Sequence, residues 1–226
     1  MYKRLETILS FVEQGAIVAD IGTDHAQLPI LLVERNICNK VYACDEKKGP
    51  LSIAKENIKS KGLSDKIETI LSDGFAHIPM DINTAVIAGM GFYTAKMILE
   101  NAQNRLHLLD KIIVQINVDS HLMRNWINEN HYTILEEKYV NERNKDYEII
   151  SFTTQIEGKE LSEEEIYLGP KLMKEKSEEI LAYYLKKEDK ISSLLKLKTK
   201  QDEAYNELLR EYNILHEYNK RGCEKT

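Results

Sequence analysis

Ala16-Ile17-Val18-Ala19-Asp20-Ile21-Gly22-Thr23-Asp24-His25 is a short apolar run that ends in an acid, a glycine and a polar turn, and a helical pattern follows from Gln27. Such a stretch reads as a buried parallel strand that opens at its carboxyl end into a ligand-binding turn. Gly22 lets the backbone approach a ligand closely. Asp20 sets a carboxylate at the strand end, where a cation or a ribose hydroxyl can be held. With one glycine the turn is not G-x-G-x-x-G, the pattern that presses a chain against a pyrophosphate. That disfavours a nicotinamide dinucleotide. An acidic turn suits a ligand that lacks phosphates and carries positive charge, and S-adenosylmethionine fits through its ammonium and sulfonium. The plain alternative is the strand–loop–helix of any α/β domain.

Working outward, apolar runs at 17–21, 40–44, 66–71, 84–88 and 111–116 alternate with helical patterns at 27–35, 51–61, 93–102 and 120–130. A helix over 3–13 precedes them. This predicts an α/β fold with five parallel strands covered on both faces. Two strand-like runs follow at 132–140 and 147–154, with the polar stretch Asn141 to Lys145 as the turn of a hairpin. The order is that of a class I S-adenosylmethionine methyltransferase, a Rossmann-like sheet plus C-terminal hairpin. Residues 1–157 are expected to form this domain. Residues 158–226 are expected to form an antiparallel helical, coiled-coil hairpin. Ser162-Glu163-Glu164-Glu165 offers a helix start. Leu172, Met173, Ile180, Tyr184, Ile191, Leu194 and Leu195 form an apolar stripe, and Tyr205, Leu208, Tyr212 and Leu215 form a short heptad seam. The turn between the two helices is expected between Lys187 and Asp202.

The other strand ends repeat the acid-and-glycine theme. Asp45, with Glu46 beside it, ends the second strand about 20 residues past the first turn, where a carboxylate grips a ribose diol. Asp73-Gly74 ends the third, where an acid can accept from an adenine amine. Gly89-Met90-Gly91-Phe92 ends the fourth, where two glycines allow close approach of substrate or of the methionine moiety. Asn117 ends the fifth, either to bond a base edge or to cap the next helix. Thr23 and His25 belong with Asp20 and Gly22 as cofactor candidates. The remaining histidines are dispersed, and no pair has metal-ligand spacing.

The chain has 226 residues, a formal charge of −6 and three scattered cysteines. The cysteine usage argues for a reducing, cytoplasmic compartment and against a disulfide framework or zinc site. No apolar run is long enough to span a membrane. A nucleic-acid partner would need a local basic patch. One exists: Lys186, Lys187, Lys190, Lys196, Lys198 and Lys200 face only Glu188 and Asp189 in that window. The bland alternative is a solvated helix face.

Asp20-Ile21-Gly22-Thr23-Asp24-His25-Ala26 with Leu28-Pro29, then Gly49-Pro50, Asp73-Gly74, Ile87-Ala88-Gly89-Met90-Gly91 and Leu168-Gly169-Pro170, resemble the bacterial TrmK-type tRNA (adenine-22-N1) methyltransferases. The resemblance runs nearly the full chain. It departs at Gln27, Phe92 and Ile116, where the family usually has tyrosine, glycine and proline. It implies methyl transfer from S-adenosylmethionine to N1 of a tRNA adenine. Asp24 would then stabilise the new charge, Asn117 would position the base edge, and Gln27 and Phe92 would contact the extruded base. Other readings are a methyltransferase with a different RNA or small-molecule target, or a non-catalytic cofactor- or RNA-binding protein. The oligomeric state is left open.

Overall fold

A computed structural model describes residues 2–201 and 203–223. The chain divides into two compact units, Met1–Glu160 and Leu161–Thr226. The first opens with α1 (Lys3–Leu9). Five strands follow: β1 (Ile17–Ile21), β2 (Lys40–Asp45), β3 (Ile67–Leu71), β4 (Thr84–Met90) and β5 (Lys111–Ile116). Between and after them lie α2 (Gln27–Glu34), α3 (Lys48–Ser60), α4 (Phe92–Glu100), α5 (Gln103–Leu106) and α6 (Ser120–Glu129). The unit closes with β6 (Thr133–Glu142) and β7 (Lys145–Thr153).

The sheet runs β3-β2-β1-β4-β5-β7-β6. The first five strands are parallel, and β7 joins β5 antiparallel. Val18, Ala19, Val86, Ile87, Ile113 and Val114 are wholly buried, which is why these runs are apolar on both faces. Chain order reverses between β1 and β4, so ligands are expected above the carboxyl ends at that point. The helix α1 seals one face with Leu5, Ile8 and Leu9.

Two local expectations need correction. First, α1 stops at Leu9 rather than continuing to Glu13, because the chain tightens into i→i+3 bonds at Phe11 and Val12. Second, the hairpin turn is two residues, not five. Polar Asn141 and Asp146 pair across the ladder, with Asn141 Nδ2 donating to Asp146 Oδ1 at 2.7 Å, so only Arg143-Asn144 remain as turn.

The second unit contains α7 (Glu163–Leu168), α8 (Leu172–Glu175), α9 (Glu178–Leu195) and α10 (Glu203–Cys223). Ser162 and Glu165 close a capping box at the start of α7. The pairs Tyr184–Tyr218, Glu188–His216 and Lys187–Glu211 run in opposite directions along α9 and α10, so the two helices are antiparallel. The stripe expected from Leu172 to Leu195 is interrupted, although Leu172, Ile180, Tyr184 and Ile191 are buried. Lys176 adopts a left-handed conformation and separates α8 from α9, and Leu194 is exposed. The seam is partly polar: Glu211 and Asn219 are buried beside Leu215.

Candidate active site

A cleft of about 610 Å³ opens at the carboxyl ends of β1 to β4, within the range of small-molecule sites. The end of β1, the turn after it and the start of α2 supply Asp20, Gly22, Thr23, Asp24, His25 and Gln27. The ends of β2, β3 and β4 supply Asp45 and Glu46, Asp73 and Gly74, and Gly89 and Met90. Parallel pairing puts these strand ends side by side, although they lie far apart in sequence.

Glycine is required at two of these positions. Gly22 has φ +81°, and a Cβ there would sit 2.3 Å from the Met90 methyl. Gly89, at φ +79°, falls where the register of β4 on β5 shifts between Ala88 and Met90. Both conformations are ones that side chains disfavour.

Asp20 is buried, and that burial pushes its carboxyl up to about 6. The nearby Thr23 hydroxyl and the Arg4 charge ease the shift, while Asp45 adds to it. The buried Thr23 hydroxyl lines the cleft beside the Asp20 carboxylate. Asp45 bridges two turns: its Oδ1 accepts from the Lys47 N–H at 2.9 Å and its Oδ2 from the Asp24 N–H at 3.4 Å. Each oxygen keeps a further lone pair for a ligand donor. Asp24 is exposed, with its carboxylate 3.4 Å from His25 Nε2. Glu46 is exposed and pairs with Lys47 at 3.5 Å. Asp73 is exposed, and the turn beneath it is pinned by Ser72, whose hydroxyl donates to the Gly74 carbonyl and accepts from the His77 N–H.

Gly91, Phe92 and Asn117 do not line the cleft. Gly91 is the N-cap of α4, and Phe92 packs edge-on against Tyr93. Asn117 neither caps α6, whose N-cap is Asp119, nor reaches the cleft. Its Nδ2 donates to the Gly89 carbonyl at 2.8 Å and its Oδ1 accepts from Gln115, which braces the end of β4. The lysine series lies in the second unit. Lys187 is turned to Glu211 at 2.8 Å, because α10 presents that buried acid to it. Lys190 is exposed on α9, and Lys196, Lys198 and Lys200 are exposed on the connection that follows.

Sequence reasoning missed Arg4. Its guanidinium lines the cleft, donates to Gln115 Oε1 at 2.8 Å and lies 5.5 Å over the Tyr147 ring. Gln115 Oε1 also accepts from the Gly89 N–H, so one buried amide ties Arg4 to the end of β4. Arg4 thus brings positive charge to a cleft otherwise dominated by carboxylates. Only the helical position of Arg4, one turn before the buried Ile8, hints at this in sequence.

The sheet order and the acids at its switch point define a methyltransferase, and residues 1–150 match the family described as "Methyltransferase domain". The tRNA (adenine(22)-N(1))-methyltransferase of Bacillus subtilis is 31% identical over 191 residues, covering 82% of this chain and 78% of that protein. The structure of Streptococcus pneumoniae Sp1610 in complex with S-adenosyl-L-methionine is 32% identical, with 97% of this chain and 99% of that one covered at a TM-score of 0.87. M. capricolum TrmK in complex with S-adenosyl-homocysteine is 28% identical, with 97% and 98% covered at a TM-score of 0.84. The chain belongs to the TrmK family of methyltransferases.

Proposed function

We propose that this protein transfers a methyl group from S-adenosylmethionine to N1 of an adenine in tRNA, at position 22 as in its Bacillus relative. One observation carries the reading: a buried acid, a row of strand-end acids and one anchored guanidinium converge on a cleft of cofactor size. The residues present fit the cofactor. Asp20 matches its ammonium. Arg4 matches its carboxylate, for which a guanidinium fork is well shaped. Asp45 matches the ribose diol. Thr23 adds a buried hydroxyl to the cleft wall, and Asp73 with Gly74 suits the adenine amine.

When bound, the cofactor supplies an electrophilic methyl on sulfur. The adenine N1 attacks with its own lone pair, so the site needs no strong base. The protein's part is orientation and charge stabilisation. Asp24, at the open rim and in contact with His25, faces the positive charge that develops on the base. Gln27, at the start of α2, contacts the extruded base. Asn117 is assigned a positioning role through Gly89 instead of a base contact. Phe92 is assigned to packing against Tyr93 at the start of α4.

Incubation with S-adenosylmethionine and tRNA, followed by nucleoside analysis, is expected to yield 1-methyladenosine. Asp24→Asn, which tolerates the left-handed φ at this position, is expected to keep cofactor affinity and slow single turnover roughly 10–100-fold, less than a fully buried charge would. An unchanged single-turnover rate at saturating tRNA overturns the role given to Asp24.

The exposed lysines of the second unit are proposed to hold tRNA phosphates. Changing Lys190, Lys196, Lys198 and Lys200 to glutamine is expected to weaken tRNA binding. It should also lower the salt slope by roughly 0.7–0.9 for each phosphate no longer neutralised, with cofactor affinity unchanged. Lys187→Gln, by contrast, should act on stability through Glu211. Equal affinity and slope in the multiple variant would remove these lysines from the RNA path.

A further inference from the structure

The β6–β7 hairpin continues past the sheet. The last β5 pair is Ile116 with Glu148, and three more hairpin rungs follow: Val140–Tyr147, Asn141–Asp146 and Glu142–Lys145. At about 3.4 Å per residue the tip overhangs the carboxyl edge by roughly 10 Å. That edge carries the cleft. The acids matched to the cofactor stand at the carboxyl ends of β1, β2 and β3, so the β4-to-β6 side of the switch point is left for the acceptor.

The tip is built rigidly. Asp146 accepts from the Tyr139 hydroxyl and from Asn141, both at 2.7 Å, which turns that acid into the hairpin. Arg143 lies 5.3 Å over the Tyr2 ring, and Tyr147 lies under Arg4, which itself lines the cleft. Arg143, Asn144 and Lys145 are left exposed. Both turn residues have positive φ, +52° at Arg143 and +62° at Asn144. Asparagine accepts this conformation readily. Arginine does so only at a steric cost, and a turn of this kind favours asparagine, aspartate or glycine there. A residue unsuited to the backbone of its turn is best explained by its side chain.

We infer that Arg143 and Lys145, on the overhanging hairpin tip, form a second RNA-contact point, gripping backbone phosphates beside the target adenine. This rests on the tRNA reading above. The test uses the full chain with Arg143→Asn and Lys145→Gln, and measures tRNA binding across a salt series. Binding is expected to weaken roughly 5–10-fold at physiological salt, with the slope of log affinity against log salt reduced by about 1–2. Cofactor affinity should be unchanged. The melting temperature should not fall, because asparagine suits the turn better. Should it fall, Lys145→Gln alone carries the test, with about half the slope change. If the parent methylates tRNA but the variant keeps its affinity and slope, the hairpin contact is wrong and the function stands. If the parent neither binds nor methylates tRNA, the functional reading fails and the contact with it.

Discussion

Arg124→Met is expected to destabilise the methyltransferase unit by about 3–5 kcal/mol, the cost of stranding buried charges without their partner. Arg124 is fully buried on α6. Its Nε donates to Glu137 Oε1 at 2.5 Å on β6, and its Nη2 donates to Glu148 on β7. Both carboxylates are buried as well. Losing the guanidinium leaves two acids facing each other in a dry interior. Denaturant unfolding followed by circular dichroism checks the value. The triple replacement Arg124→Met, Glu137→Leu, Glu148→Leu should recover most of the loss, since an apolar trio of similar volume carries no desolvation cost. Failure of Arg124→Met to lower stability would mean that solvent reaches the cluster.

The second large effect concerns pH. Asp20 has a folded value of about 6 against 3.8 for the free side chain. The folded state therefore binds the proton more tightly than the unfolded state. Stability contributed by this group is present at low pH, declines as pH rises from about 4 through about 6, and is flat above that. The difference corresponds to about 3 kcal/mol. Asp20→Asn is expected to remove that slope and to be more stable than the parent by about this amount at pH 7. It should also bind S-adenosylmethionine more weakly, because the ammonium loses its carboxylate. In the parent, a cation beside Asp20 favours the ionised form, so affinity should rise with pH up to about 6 and then level off. Calorimetry at pH near 5, about midway in that window, in buffers of different ionisation enthalpy should detect proton release on binding. Parallel stability–pH curves for parent and variant would refute the assignment.

The strand ends were legible because parallel pairing converts sequence order into spatial neighbourhood. Once 17–21, 40–44, 66–71 and 84–88 read as adjacent parallel strands, Asp20, Asp45, Asp73 and Gly89 fall along one edge. Arg4 was not legible, because its partner Gln115 lies 111 residues away and no local pattern announces the bond. The buried Arg124 was hidden for a different reason. A charged residue in an amphipathic helix reads as solvated, and only the return of β6 and β7 brings two acids over it. Asn117 showed the right residue type at the right strand end. Its amide, however, was already committed to Gly89 and Gln115. The turn at Arg143-Asn144 was overestimated because polar residues read as loop even where they pair across a ladder.

The position of β1 inside the sheet, between β2 and β4, has a consequence for how the chain is made. Its two partners come late and unequally: Ile17 pairs with Lys40, but Val18 must wait for Thr84, 66 residues further on. At synthesis rates of about 5–20 residues per second, that interval is roughly 3–13 s. Throughout it, one side of an apolar strand stands open in the nascent chain, offering unpaired backbone groups to any neighbouring strand. Translation pauses or chaperone capture between the emergence of β2 and β4 should therefore govern the yield of native protein more than events in the helical C-terminal unit. That unit folds from near-neighbour helices and can form quickly once released.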